Sequence, residues 1–313
     1  MMPVEASTYA PRVDGLFWLL IGVSVATMVV VGSLVLFFAI KYRRGTAAPR
    51  GPVPEKTSRE VEIGWTAVTL FAFLFVFWFA AAAETSQFQI PKRAMEVHVV
   101  AKQWMWKIEH PSGVREINAL HVPVGVPVRL VMTSQDVIHS FFVPAFRLKQ
   151  DVLPGRYVET WFEASKTGTF HLFCTEYCGT DHSRMIGGIV VQSPADYARW
   201  SAAQPQADTL ADQGAILFER MGCTGCHGGS TRVRAPDLAG IYGRPQPLEG
   251  GGFAVADESY LRDSILLPER QIVAGYQPIM PSYRGVASEE ELIRLIAYLK
   301  SGKVAAPRPE ARR

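Results

Sequence analysis

The chain has 313 residues, of which 48% are hydrophobic, and a formal net charge of +3. That length leaves room for about two or three domains, and so small a charge gives no basis for a nucleic-acid partner. Only four cysteines occur, at 174, 178, 223 and 226; if both pairs hold cofactors, none remains for a structural disulfide.

Residues 16–40 and 63–83 contain no charged side chain. About 20 apolar residues suffice to cross a bilayer as a helix, so both segments are expected to span a membrane. A cleaved signal peptide would want a basic start and a shorter apolar core. The first segment is longer and follows one Arg and two acids, which favours a retained anchor. Between the spans lie Lys41, Arg43, Arg44, Arg50, Lys56 and Arg59. Basic residues concentrated in a short loop place it in the cytoplasm, so both termini and everything after Glu84 face outward. Pro49, Pro52 and Pro54 keep this loop extended. Glu60 and Glu62 stand at the start of the second span, before the interfacial anchor Trp65. An acid there reads either as a helix N-terminal charge favoured by the dipole or as the mark of a proton path.

From about residue 95 to 191 the pattern changes to short β-branched runs separated by turn residues. Strands are expected at 97–100, 126–132, 157–162, 169–173 and 188–191, and their spacing suggests an all-β sandwich or barrel. Trp104 and Trp106 alternate along one run, as packing rings on a strand do. His98, His110, His121 and His171 read as surface or satisfied core residues and receive no ligand role.

Residues 174–185 read Cys-Thr-Glu-Tyr-Cys-Gly-Thr-Asp-His-Ser-Arg-Met. Two thiols, an imidazole and a thioether are soft or borderline ligands that suit copper better than magnesium or calcium. Two cysteines so close could hold two metals together if each sulfur bridges both, and His139 is a candidate for one further ligand. The same pair also reads as a disulfide in an oxidising compartment. His182 and Met185 favour the metal, because a disulfide needs neither.

Cys174, Glu176, Cys178, His182 and Met185, with His139, resemble the binuclear Cu(A) motif of cytochrome c oxidase subunit II. The resemblance implies bridging by Cys174 and Cys178, nitrogen ligation by His139 and His182, and weak bonds from Met185 and the Glu176 carbonyl. It also implies a cupredoxin-like domain with copper at one end, His139 following one strand and the 174–185 loop joining the last two. By the same resemblance Trp104 is the ring through which electrons reach the copper, and Glu62 lies at the mouth of a proton channel. Lys149, Asp151 and Arg156 would pack against the catalytic subunit, and the Glu176 side chain would reach a magnesium ion at that boundary.

Residues 193–208 read as a short helix and a linker. Cys223-Thr-Gly-Cys-His227 then carries the C-x-x-C-H signature of covalent haem c attachment, with His227 as an iron ligand. Zinc sites and redox dithiols share C-x-x-C, so the context decides. Low-spin haem needs a sixth ligand, commonly Met or His. No histidine follows His227, and Met221 lies too close to the attachment site to reach the other face, which leaves Met280. Helices are expected at 208–221 and after Ser288, whose acid three residues on suggests a capping box. Leu292, Leu295, Ile296 and Leu299 form its apolar stripe, and Gly302 can end it. These helices resemble the first and last of a class I cytochrome c domain. Gly214 would let them cross closely, and Pro236 would buttress His227. From Asp208 onward the chain carries 13 basic and 13 acidic residues, so no docking field follows from the total.

The chain is therefore expected to be a multidomain membrane protein: a transmembrane hairpin (1–90), an all-β cupredoxin-like domain (91–200), a linker (201–207), an all-α cytochrome c domain (208–302) and a disordered tail (303–313). It resembles subunit II of caa-type haem-copper oxidases, in which cytochrome c is tethered to the enzyme. That resemblance implies electron flow from haem c through the copper pair to catalytic subunit I, where oxygen is reduced to water with proton translocation. It implies subunit III as a further partner, a soluble or membrane cytochrome or other donor, and a bacterial plasma membrane with both redox domains on its outer side. Tethering raises the donor's effective concentration at the copper without tight binding. Neither span contains a histidine, so oxygen chemistry must lie in another subunit. Two alternatives stand beside this: the equivalent subunit of a Cu(A)-type nitric oxide reductase, and a stand-alone membrane-anchored electron carrier.

Overall fold

The structure, a computed structural model, describes residues 2–52, 54–204, 208–228 and 235–304. Residues 7–90 form one unit; residues 2–6 and the chain from 91 onward form the other. Most of the tail, part of the linker (205–207) and Arg234 lie outside the described residues.

In the first unit, α1 (Ala10–Lys41) and α2 (Glu55–Gln87) are each long and apolar enough to cross a membrane. Both extend beyond the uncharged segments read from sequence, because Pro11 suits a first helical turn and Pro54 immediately precedes α2. Arg12 Nη1 donates to Ser86 Oγ at 3.2 Å, so the start of α1 meets the end of α2 and the two run antiparallel. Phe71, Phe73 and Trp78 point outward, as lipid-facing side chains do. Glu62 sits about two turns into α2 and accepts from Ser58 Oγ at 3.4 Å. The dipole acts within the first turn, so that reading does not apply to Glu62.

The second unit begins with a β-sandwich. One sheet has the order β3-β2-β1-β5-β8, the other β4-β10-β9-β6-β7. The strands are β1 (Met95–Lys102), β2 (Met105–Glu109), β3 (Arg115–Ile117), β4 (Ala119–Pro123), β5 (Pro127–Ser134), β6 (His139–Val143), β7 (Leu148–Val152), β8 (Val158–Glu163), β9 (Gly168–Cys174) and β10 (Ile186–Gln192). All five expected strand segments fall on these; β2, β3, β4, β6 and β7 are additional. Val97, Val99 and Ala101 of β1 and Leu130 and Met132 of β5 face inward onto Phe141, Leu172 and Ile189 of the other sheet. The alternate residues Val100 and Val131 are also buried, but in a second apolar cluster. The outer face of β1 and β5 is thus covered as well, which explains a near-continuous apolar run where a one-sided strand would alternate.

What covers it is the helical domain. After α3 (Pro194–Ala203) come α4 (Leu210–Arg220), the short α5 (Thr224–His227), a small hairpin of β11 (Pro245–Pro247) and β12 (Phe253–Val255), α6 (Glu258–Leu266) and α7 (Glu289–Lys300). Thr209 caps α4, and Ser288 with Glu291 forms the capping box of α7. A Cβ on Gly214 would lie 2.0 Å from the Arg294 carbonyl oxygen and 2.8 Å from Tyr298 Cβ, so only glycine lets α4 and α7 cross at this distance.

Candidate metal centre and haem cleft

His139 opens β6 and Cys174 closes β9, and these strands pair through Phe141 and Cys174. The loop that follows β9 returns to β10, and Cys174 N donates to the Met185 carbonyl at 3.1 Å, closing the loop on itself. The donor atoms converge inside it. Cys174 Sγ lies 3.7 Å from Cys178 Sγ, 3.9 Å from His139 Nδ1 and 3.3 Å from the Glu176 carbonyl oxygen. Cys178 Sγ lies 3.4 Å from His182 Nδ1 and 3.8 Å from Met185 Sδ. Both thiols are free. Two sulfurs at the centre, each with an imidazole nearby and a weaker donor at hand, form a set whose softness fits copper.

The thiols are chemically unequal. Burial opposes ionisation of Cys174, but His139 and the backbone at Ser140 and Glu176 outweigh it and lower its pKa. Burial, and then the adjacent Cys174, raise that of Cys178. Metal binding must therefore displace the second proton, as thiolate ligation requires.

Residues around the cluster hold these donors. His139 Nε2 donates to Asp136 Oδ1 at 2.8 Å, which leaves Nδ1 with its lone pair toward the sulfurs. Asp136 also accepts from the Gln103 and Val137 amides, at 2.8 and 2.7 Å. Gln103 Nε2 and Trp104 Nε1 both donate to the Cys178 carbonyl, at 2.8 and 3.1 Å. Gly179, at φ +117, lies under them, and a Cβ there would come within 3.1 Å of both side chains. Asp136 and Gln103 were not singled out in the sequence. A carboxylate three residues before a metal-binding histidine is the signal that points to the first.

The remaining histidines lie elsewhere. His110 Nε2 and His121 Nδ1 share the Glu116 carboxylate at 2.8 and 2.5 Å, and Trp200 of α3 stacks on His121. His98 faces Glu96. Lys149 bonds Asp151 at 2.8 Å, and Glu176 and Arg156 are exposed.

A second site lies in the helical domain. A solvent-open cleft with an empty volume of about 1340 Å³ is lined by Cys223, Cys226, His227 and Met280, and by apolar residues including Phe218 and Leu299. His227 Nδ1 donates to the Pro236 carbonyl at 3.0 Å, which leaves Nε2 as the free lone pair. Burial lowers the His227 pKa and so favours the neutral ring that a metal needs. Neither cysteine is in a disulfide. An apolar cleft with two thiols and a neutral imidazole fits a covalently held haem.

Residues 113–194 match the family model "Cytochrome C oxidase subunit II, periplasmic domain", and residues 211–303 match "Cytochrome c". The chain is similar to cytochrome c oxidase subunit 2 of Alkalihalophilus pseudofirmus, 28% identical over 304 residues, 91% of this chain and 86% of that protein. It is also similar to the probable cytochrome c oxidase subunit 2 of Rickettsia bellii, 30% identical over 59% of this chain and 76% of that protein. The chain belongs to the cytochrome c oxidase subunit II family. Among solved structures, the periplasmic domain of subunit II (CoxB) of Bradyrhizobium japonicum is 36% identical over 36% of this chain and 94% of its own, with a TM-score of 0.35. The first domain model implies Cu(A) and the second implies haem, which are the groups that the two donor sets accommodate. This subunit II thus has two apolar N-terminal helices, a cupredoxin-like domain and a cytochrome c domain, and membership of the family implies association with the catalytic subunit I of a haem-copper oxidase.

Proposed function

We propose that this chain carries electrons from haem c through a binuclear copper centre into catalytic subunit I of a respiratory oxidase. One observation carries the reading: a cluster of soft donors and a cleft lined by the C-x-x-C-H residues occur in one chain. When bound, copper and haem supply the one-electron redox chemistry. The residues supply everything else. Cys174 and Cys178 would hold the copper through their sulfurs, His139 and His182 through ring nitrogens, and Met185 and the Glu176 carbonyl would complete the donor set. Met185 is wholly buried, so its side of the site excludes water. Cys223 and Cys226 would hold the haem covalently, and His227 and Met280 would ligate its iron. Trp104, bonded to the copper-loop carbonyl of Cys178, receives electrons.

The finer assignments follow from the same reading. Glu62 takes up protons from the cytoplasmic side, and the Glu176 carboxylate reaches a magnesium ion at the boundary with subunit I. The domains divide at about residues 90, 200 and 208 as the sequence suggests. The hairpin spans a bacterial plasma membrane twice with both redox domains outside, subunit III completes the complex, and an external cytochrome is the donor.

The test uses the complex purified through a tag on this chain, with ascorbate and a mediator as reductant, and records oxygen and nitric oxide consumption in parallel. Rapid oxygen uptake with a haem-bearing large subunit supports the proposal. Nitric oxide uptake alone assigns the chain to a reductase; neither activity and no partner leaves an anchored carrier.

A further inference from the structure

From Asp208 onward, 13 basic and 13 acidic residues cancel in sum, but they do not cancel in place. Among the described residues, four ion pairs cross from the haem domain to the outer face of the β3-β2-β1-β5-β8 sheet. Lys107 Nζ meets Glu290 at 2.6 Å, Arg294 meets Glu109 at 2.7 Å, Lys300 meets Glu96 at 2.8 Å and Arg129 meets Glu258 at 3.3 Å. Between them Val100, Val131 and Tyr157 share one buried apolar cluster with Leu261 and Ile293. An apolar centre ringed by ion pairs is the anatomy of a specific interface.

The pose has a direction. Glu290, in the first turn of α7, bonds Lys107 and also accepts from Gln135 Nε2 at 2.7 Å. Gln135 is the neighbour of Asp136, which holds His139 of the copper cluster. The next residue of α7, Glu291, accepts from Arg220 at 2.8 Å, and Arg220 ends α4 three residues before Cys223. The opposite end of α7, at Lys300, pairs with Glu96 near the start of β1, at the far end of the sheet. The first turn of α7 therefore ties the haem-attachment turn, on one side, and the copper-ligand loop, on the other, to the same end of the sandwich.

We infer that the haem domain is a docked donor and not merely a tethered one, and that Glu290 and Lys107 are positioning residues for electron transfer between the two centres. The inference rests on the proposed copper and haem sites. One electron leaves ferrous haem, giving the ferric form, and reduces the oxidised copper pair; no proton or other reactant is needed. Neither side chain touches a cofactor. Their part is to hold the haem-attachment turn against the Gln135–Asp136–His139 edge.

The experiment uses the full chain in its complex, as wild type, Lys107→Glu, Glu290→Lys and the double exchange. Carbodiimide, which joins an amine to a carboxylate only at ion-pair distance, is followed by mass spectrometry. Wild type should give Lys107–Glu290 and Lys300–Glu96 cross-links; their absence overturns docking. After photoreduction of the haem domain, copper reduction should slow about 10-fold or more in each single variant, since small misplacements carry large rate penalties. The double exchange should restore it, with both midpoint potentials unchanged throughout. Wild-type rates in the single variants would overturn the positioning role. Failure of the underlying site assignments is read separately, as a missing copper or haem spectrum.

Discussion

His139 Nε2 lies 2.8 Å from Asp136 Oδ1, and Asp136 Oδ2 lies 2.8 Å from the Gln103 amide. Both oxygens of this carboxylate therefore accept from N–H groups. An amide in its place must turn an NH2 toward one of them, so Asp136→Asn cannot reproduce the pattern in either orientation. With the NH2 toward His139 the ring loses the acceptor that fixes its tautomer; with the NH2 toward Gln103 the acceptor stays but loses the backbone bond that anchors it. Copper retention should fall about 10- to 100-fold, the usual effect of losing such a support. Copper per chain after dialysis against a graded chelator measures this, with the haem spectrum unchanged as the internal control. Equal retention would show that Trp106, packed edge-on against the ring at 6.2 Å, suffices to hold it.

Gly214→Ala sets two effects against each other. In an open helix, alanine is better than glycine by about 1 kcal/mol. Here the new methyl would sit 2.0 Å from a backbone oxygen of the facing helix, and backbone cannot give way as a side chain can. Forcing extra volume into a packed contact costs about 1–3 kcal/mol or more. The crossing should win, so the thermal unfolding midpoint of the haem domain falls; a rise would mean that the two helices can part without loss.

Met280→Ala should change the haem spectrum and lower its potential, because methionine ligation raises it. Met280 lines the same cleft as His227, between Pro278 and Pro281. The copper signal should be untouched. An unchanged haem spectrum would reduce Met280 to a lining residue.

The chemistry of both sites was legible because it resides in short contiguous motifs: 174–185 and 223–227. The last helix was legible too, since Ser288, Glu291 and its leucine stripe carry local signals for the cap and the buried face. Strands β2, β3, β4, β6 and β7 were harder because they are only three to five residues long and take their pairing from distant partners. The docking surface was hidden for a different reason. Net charge is a sum, whereas Lys107 and Glu290 are 183 residues apart, and only the fold shows that opposite charges face each other. Likewise His110 and His121 looked like isolated histidines until the turn at β3 brought both to Glu116.

The interface should fail in acid, and the sign follows from its carboxylates. Burial opposes ionisation of Glu96, Glu258 and Glu290, but in each case the cations facing it win. His98 and Lys300 hold Glu96 far below the usual carboxylate range. Lys300, with Tyr242 and Arg129, lowers Glu258, and Lys107 lowers Glu290. A group whose folded pKa is depressed binds its proton more readily when unfolded. Its stabilisation is complete above the ordinary carboxylate range and is lost as the pH falls through the lowered values. Tyr157 supplies the opposite limit, because burial raises its pKa; its contribution is complete below the ordinary tyrosine range and fades as the pH climbs toward the raised value. Docking should therefore weaken on acidification below the carboxylate range. Glu258, with only 5% of its side chain exposed, is the position to test. Removing one partner of a buried pair costs about 3–5 kcal/mol, so Glu258→Gln should lower the unfolding midpoint at neutral pH and flatten its fall in acid. An acid profile identical to wild type would place the sensitivity in other carboxylates and leave Glu258 a bystander.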